Sequence, residues 1–271
     1  PDAPPEGLVV NLAALRLYYF PKPAQGEQRV VVTVPIGIGM VGWATPEGAT
    51  KIVSKRKDPV WTPPASVRKE HAAEGDILPA RVPAGPDNPL GAFAMNLGWP
   101  SYLMHGTNKP AGVGMRASHG CIRLYPEDIA TLFPQLPIGT KVTVVNQPLL
   151  YKVQDGQFYV QSFPPHEEHP EAKAAAKGQR FNKKVRDKMA QRAKLAAVTV
   201  DWALVEQVVN AAKGVAVPVT LPAVGLDQFL ASALLVENRI PEGATWDGSD
   251  RPVPIREEAA AVAPVAASGG R

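Results

Sequence analysis

The chain contains a single cysteine, Cys121, among 271 residues. An internal disulfide is therefore excluded, as is a metal ribbon built on Cys-x-x-Cys spacing. No apolar run approaches the roughly 18–20 residues a membrane helix needs, so no membrane span is expected. Neither sign of charge dominates: 29 Lys and Arg against 25 Asp and Glu leave a net +4 and a pI near 9.1. The cations are spread along the chain. That suits an anionic polymer or surface and is not the footprint of a nucleic-acid binder. Internal repeats are absent. The chain opens on Pro1 rather than Met, which reads as a trimmed or mature fragment whose export signal lies outside it.

Proline, in contrast, is abundant: 29 residues, roughly double the usual ~5% share. This favours rigid loops and short strands over long helices in the first half. Short β-prone runs follow one another there, bounded by Gly or Pro. They are 8–12, 16–20, 29–36, 51–54, 92–97, 101–104 and 141–145. Many short strands with Pro/Gly turns predict a mainly β domain, a sandwich or barrel with a few helices. One helix is expected at 126–133, where Pro126, Glu127 and Asp128 open the segment. Ile129, Leu132 and Phe133 follow at helical spacing.

The chemistry concentrates in two runs, Met104-His105-Gly106-Thr107 and Ser118-His119-Gly120-Cys121-Ile122-Arg123-Leu124. A free thiol becomes a nucleophile when a neighbouring imidazole takes its proton and a third group fixes the tautomer. His105 precedes Cys121 by sixteen positions, so a loop can return imidazole to sulfur. Gly120 leaves room for a substrate to approach the backbone. Blander readings stand beside this one. A lone Cys also serves as a small buried hydrophobe. His119 also fits a packed, hydrogen-bonded core position, and His105, His119 and Cys121 together could be three zinc ligands. Arg116 and Arg123 could form surface ion pairs. His71, His166 and His169 read as surface or loop histidines.

The two histidine runs, with flanks such as Pro35-Ile36-Gly37-Ile38-Gly39, Trp61-Thr62-Pro63 and Asp87-Asn88-Pro89-Leu90-Gly91, resemble the YkuD-type L,D-transpeptidases of bacterial cell walls. The match is to their Gram-negative ErfK/YbiS-like branch and extends over roughly residues 6–147. The resemblance implies a YkuD-like β-sandwich catalytic domain over residues 1–146. It implies Cys121 as nucleophile, His105 as base, Gly106 at the position that orients the imidazole, and His119 in support. The amides of Gly120 and Cys121 would serve the oxyanion. Arg116, Ser118, Arg123 and Tyr102 would contact substrate, the arginines through carboxylates of a diaminopimelate stem.

The resemblance further implies periplasmic two-step acyl transfer without cofactor or metal. The donor is a peptidoglycan tetrapeptide stem. The acceptor is an amine, from a second stem or from the Lys of an outer-membrane lipoprotein. With water as acceptor the protein would be an L,D-carboxypeptidase or cysteine peptidase. With a degenerate site it would be a wall-binding scaffold. Carbapenems should acylate Cys121. Relatives often carry a LysM module upstream, and none is visible here.

A second, smaller α/β region is expected over 147–246. It comprises a β hairpin at 149–163 turning on Asp155-Gly156, a helix-prone stretch at 170–198, and a helix capped by Asp201, running through Ala212 and ended by Gly214. A third helix is expected at 226–236. From Asp247 onward Pro, Ala and Gly dominate, which predicts a poorly ordered tail.

Overall fold

The computed structural model describes residues 1, 3–23, 25–164 and 181–234. The first part is built on an eight-stranded mixed sheet. Its strands are β1 (Gly7–Asn11), β2 (Arg16–Phe20), β3 (Val32–Pro35), β5 (Gly48–Lys57), β6 (Phe93–Leu97), β7 (Leu103–His105), β9 (Ile122–Arg123) and β10 (Lys141–Val145). Their order is β3-β2-β1-β10-β5-β6-β7-β9. The pairings β1–β10 and β7–β9 are parallel and the others antiparallel. A further parallel pair joins β4 (Ile38–Gly39) to β8 (Arg116–Ser118).

The sheet curls until its two ends meet. Just after β3, at one edge, Gly37 exchanges both backbone hydrogen bonds with Arg123 of β9, at the other edge, each 2.9 Å. The seam requires glycine, because a Cβ on Gly37 would lie 2.8 Å from the carbonyl oxygen of Gly112. Curling places the apolar faces of both halves around one core. Leu8, Leu17, Ile36, Ile52, Met95, Met104, Ile122 and Val142 are all fully buried. Helix α2 (Pro126–Gln135) covers an end of this core with Ile129 and Leu132. Full burial of such side chains contributes roughly 1.5–3 kcal/mol each.

β3 is shorter than the 29–36 run suggests. β2 supplies partners only as far as Tyr19, opposite Val32. Beyond Phe20 come Pro21 and Pro23, which have no N–H to extend the ladder. β5 is longer than 51–54 because it pairs on both sides, with β10 and β6. Between β5 and β6, neighbours in the sheet, residues 58–92 make a long excursion. Its neck is closed by Asp58 N–H donating to Ala92 O at 2.8 Å. The excursion carries α1 (Ala65–Ala73). Asn88, fully buried, braces it by donating to Pro59 O (2.7 Å) and Pro83 O (3.0 Å).

The chain leaves β10 through a reciprocal amide clasp. Asn11 Nδ2 donates to Gln147 O and Gln147 N–H to Asn11 Oδ1, both 2.9 Å. Beyond it β11 (Leu149–Gln154) and β12 (Gln157–Ser162) form the expected hairpin, joined by the two-residue β13 (Val217–Pro218). Helices α3 (Lys183–Leu195), α4 (Trp202–Ala211) and α5 (Leu226–Ser232) pack here. Asp201 Oδ1 caps α4 by accepting from Leu204 N–H at 3.0 Å. Phe158, Val160, Met189, Val205 and Val217 centre a second buried cluster, separate from the first. The parts of the expected helices at 170–180 and 235–236, the tail from Asp247, and His166 and His169 lie outside the described residues. Among the described residues no helix is long and apolar enough to cross a membrane.

Candidate active site

The pairing of β7 with β9 builds the site. Met104 pairs with Ile122 and His105 with Arg123. Alternation along each strand sends Met104 and Ile122 into the core, both wholly buried, and His105 and Arg123 to the opposite face. There they line a cleft of about 650 Å³ together with Cys121, Tyr102, His119, Trp43 and Leu90. The single thiol is partly exposed, and its Sγ lies 3.8 Å from Ser101 O.

His105 is buried, and its Nδ1–H donates to Gly106 O at 2.6 Å. That bond fixes the tautomer and leaves Nε2 with a lone pair. Burial, with the charge of Arg123 beside it, pushes the imidazole pKa down to about 3, against a smaller upward pull from the Gly106 bond. The ring is therefore neutral at any ordinary pH. Ile129 of α2 lies beneath Gly106, 3.4 Å from where a Cβ would stand. The helix thus backs the turn that holds the imidazole.

The loop from Ser118 to Cys121 is tied from within. Ser118 Oγ donates to Cys121 O (2.6 Å) and accepts from Gly120 N–H (3.2 Å). Ser118 borders the cleft, but its hydroxyl, expected on substrate, is committed to this turn. The N–H of Gly120, expected at the oxyanion, points to Ser118. Gly120 has φ +98°, and a Cβ there would stand 2.8 Å from Tyr102 Cε1. The position thus requires glycine for its shape. Thr45, buried below, accepts from Gly39 N–H (3.0 Å) and donates to Gly120 O (2.9 Å).

The decisive comparison is with the family model described as the L,D-transpeptidase catalytic domain, YkuD, which matches residues 5–144. The chain belongs to the YkuD family. Two Escherichia coli (strain K12) relatives are named probable L,D-transpeptidases. YbiS is 47% identical over 163 residues, 59% of this chain and 52% of its own. YcfS is 51% identical over 153 residues, 55% of this chain and 47% of its own. The chain thus spans about half the length of the curated relatives it matches. Among solved structures, an L,D-transpeptidase from Mycobacterium smegmatis is 20% identical, with a TM-score of 0.36 over 51% of this chain and 57% of that one.

Several residues of this YkuD chain sit elsewhere than the sequence suggested. Arg116 does not line the cleft; from β8 its Nε donates to Gly39 O at 3.2 Å. The second cleft cation is instead Arg56 of β5. His71 is no surface histidine: it is 4% exposed, and its Nδ1 meets Asp76 Oδ2 at 2.9 Å. The Nε2–H of His119 donates to Glu70 Oε2 at 2.8 Å, and its ring meets Trp43 edge-on at 4.9 Å. Glu70, Trp43 and Arg56 were not singled out from sequence. Each is remote in the chain from Cys121, and only the histidine-to-thiol spacing flagged the region. Among the described residues no group of three or more His, Cys, Asp or Glu could hold a metal ion.

Proposed function

We propose that this chain is a periplasmic peptidoglycan L,D-transpeptidase with Cys121 as nucleophile and His105 as base. One observation carries the reading. The only thiol lines the same cleft as a buried imidazole whose Nδ1 is held by a backbone carbonyl. That leaves Nε2 as the proton acceptor the chemistry needs. Burial and the neighbouring Arg123 charge both favour the neutral, proton-accepting form of that ring.

In the proposed cycle Sγ attacks the carbonyl carbon of diaminopimelate in a tetrapeptide stem, and the thiol proton passes to His105 Nε2. The C–N bond to the terminal D-Ala breaks, and His105 returns the proton to the departing amine. A thioester remains. An acceptor amine then attacks it and yields a proton to His105. The C–S bond breaks, and the thiolate takes that proton back. Arg123 at the floor and Arg56 at the rim supply cations for stem carboxylates. The acceptor is an amine, from a second stem or the Lys of an outer-membrane lipoprotein. The two separate buried clusters support dividing the chain into a catalytic unit to residue 146 and an accessory unit from 147.

Intact mass spectrometry with a carbapenem and with a disaccharide-tetrapeptide tests this. A stoichiometric adduct on the native protein but not on Cys121→Ala, with D-Ala released, is expected. Folded, reduced protein giving neither would refute the reading. Product carrying a new amide bond marks transfer to an amine, and tripeptide alone marks transfer to water.

A further inference from the structure

The 58–92 excursion forms one side of the cleft: Pro63, Pro64, Ser66 and Val67, at the start of α1, line it along with Cys121. This excursion is not part of the sheet ladder around Cys121. Its neck is closed at Asp58–Ala92, and Trp61 and Val82 bridge it internally with hydrogen bonds of 2.9 and 2.8 Å. Its far end is gathered by His71 and Asp76.

On α1, Val67, Glu70 and His71 are spaced i, i+3, i+4 and so share one face. Val67 and His71 are the buried residues of the helix. Glu70 reaches from that face to His119, two residues before Cys121 on the loop between β8 and β9. The rings of His71 and His119 lie 6.3 Å apart. A carboxylate from the excursion is thus hydrogen-bonded to the loop that carries the thiol. His119 Nε2, engaged in that bond, is not directed at the sulfur.

We propose that Glu70 is a positioning residue. Through His119 it fastens the excursion against the nucleophile loop, and so sets the width of the cleft and the bulk of the acyl donor or acceptor that reaches Cys121. The proposal rests on the reading of Cys121 as nucleophile only for its meaning in turnover. The fastening itself is a property of the fold. Glu70 keeps part of its side chain in water, at 36% exposure, so its loss should release the excursion without unfolding the sheet.

Because Cys121 is the only cysteine, alkylation rates report access to it directly. The experiment compares iodoacetamide with the bulky pyrene maleimide, on the native protein and on Glu70→Ala, Glu70→Gln and His119→Phe. His119→Phe keeps a ring against Trp43 but has no N–H to give. Glu70→Ala and His119→Phe should each raise the pyrene maleimide rate relative to iodoacetamide by about fivefold. Glu70→Gln, which retains an acceptor oxygen, should stay near the native ratio. On disaccharide-tetrapeptide, Glu70→Ala should raise KM by about five- to tenfold with kcat within about twofold, the mark of lost binding rather than lost chemistry.

An unchanged alkylation ratio in Glu70→Ala and His119→Phe overturns the proposal. So does a fall in kcat with the ratio unchanged, since that is a loss without movement of the wall. Absence of D-Ala release from the native protein would refute the transpeptidase reading alone, and the alkylation ratio would still decide the role of Glu70.

Discussion

His105 and Arg123 stand side by side across the parallel pairing of β7 and β9, and the guanidinium adds to burial in keeping the imidazole uncharged. The consequence for stability has a definite sign. In the unfolded chain His105 takes a proton near its ordinary value of 6.5, and in the fold only near 3. Between those values the unfolded state binds more protons, so stability falls as pH falls through that window. The slope contributed is about 1.4 kcal/mol per pH unit at most. Denaturant titrations at stepped pH should show it, and His105→Gln should flatten it. Equal slopes in the two proteins would sink the assignment.

Removing the Arg123 charge should move the same group upward. With Arg123→Met, the pH at which Cys121 alkylation loses the help of neutral His105 should rise toward 6.5. In turnover the KM for a carboxylate-bearing stem should rise about tenfold or more, a change of ~1.4 kcal/mol. Stopped alkylation assays across pH and initial-rate kinetics read the two effects separately.

Gly120→Ala should destabilise the protein by about 1–3 kcal/mol. The added methyl meets Tyr102, and φ +98° disfavours any side chain. Trimming the ring in a Gly120→Ala/Tyr102→Ala double variant should recover only part of this, because the backbone term remains. Calorimetric melting of both variants and of Tyr102→Ala checks the non-additivity.

Thr45→Val leaves two buried backbone groups, Gly39 N–H and Gly120 O, without the hydroxyl that joins them. A loss of about 2–4 kcal/mol is expected. Thr45→Ser should stay close to the native protein. Chemical denaturation distinguishes the two; a Val variant as stable as Ser would show that the hydroxyl bridge contributes little.

Much of this architecture is written in patterns a reader can find in the chain. β1 shows as the apolar run Leu8-Val9-Val10, buried throughout, and β10 as an alternation that turns Val142 and Val144 inward. α2 declares itself by Pro126, two acids and an apolar face, and α4 by Asp201. That His105 and Cys121 border one cleft was legible because imidazole and thiol are scarce and their spacing is distinctive. α1 was not legible: Ala65–Ala73 buries only Val67 and His71, too few for a period to stand out. β4, β8 and β9 are two or three residues long, shorter than any alternation can be read over. Arg116, expected to meet a substrate carboxylate because Arg binds carboxylates in a bidentate way, lies outside the cleft lining, while the curl of the sheet brings Arg56 of β5 to it. Ser118 and Gly120 were assigned to substrate and oxyanion by position, although their hydrogen bonds serve the turn.

The seam between Gly37 and Arg123 has one further consequence. A strand edge beside a cleft is a ready template on which an extended peptide can align main chain to main chain. Here the outer side of β9 is already taken by Gly37. A ligand arriving at Cys121 therefore has no ladder to join at that point.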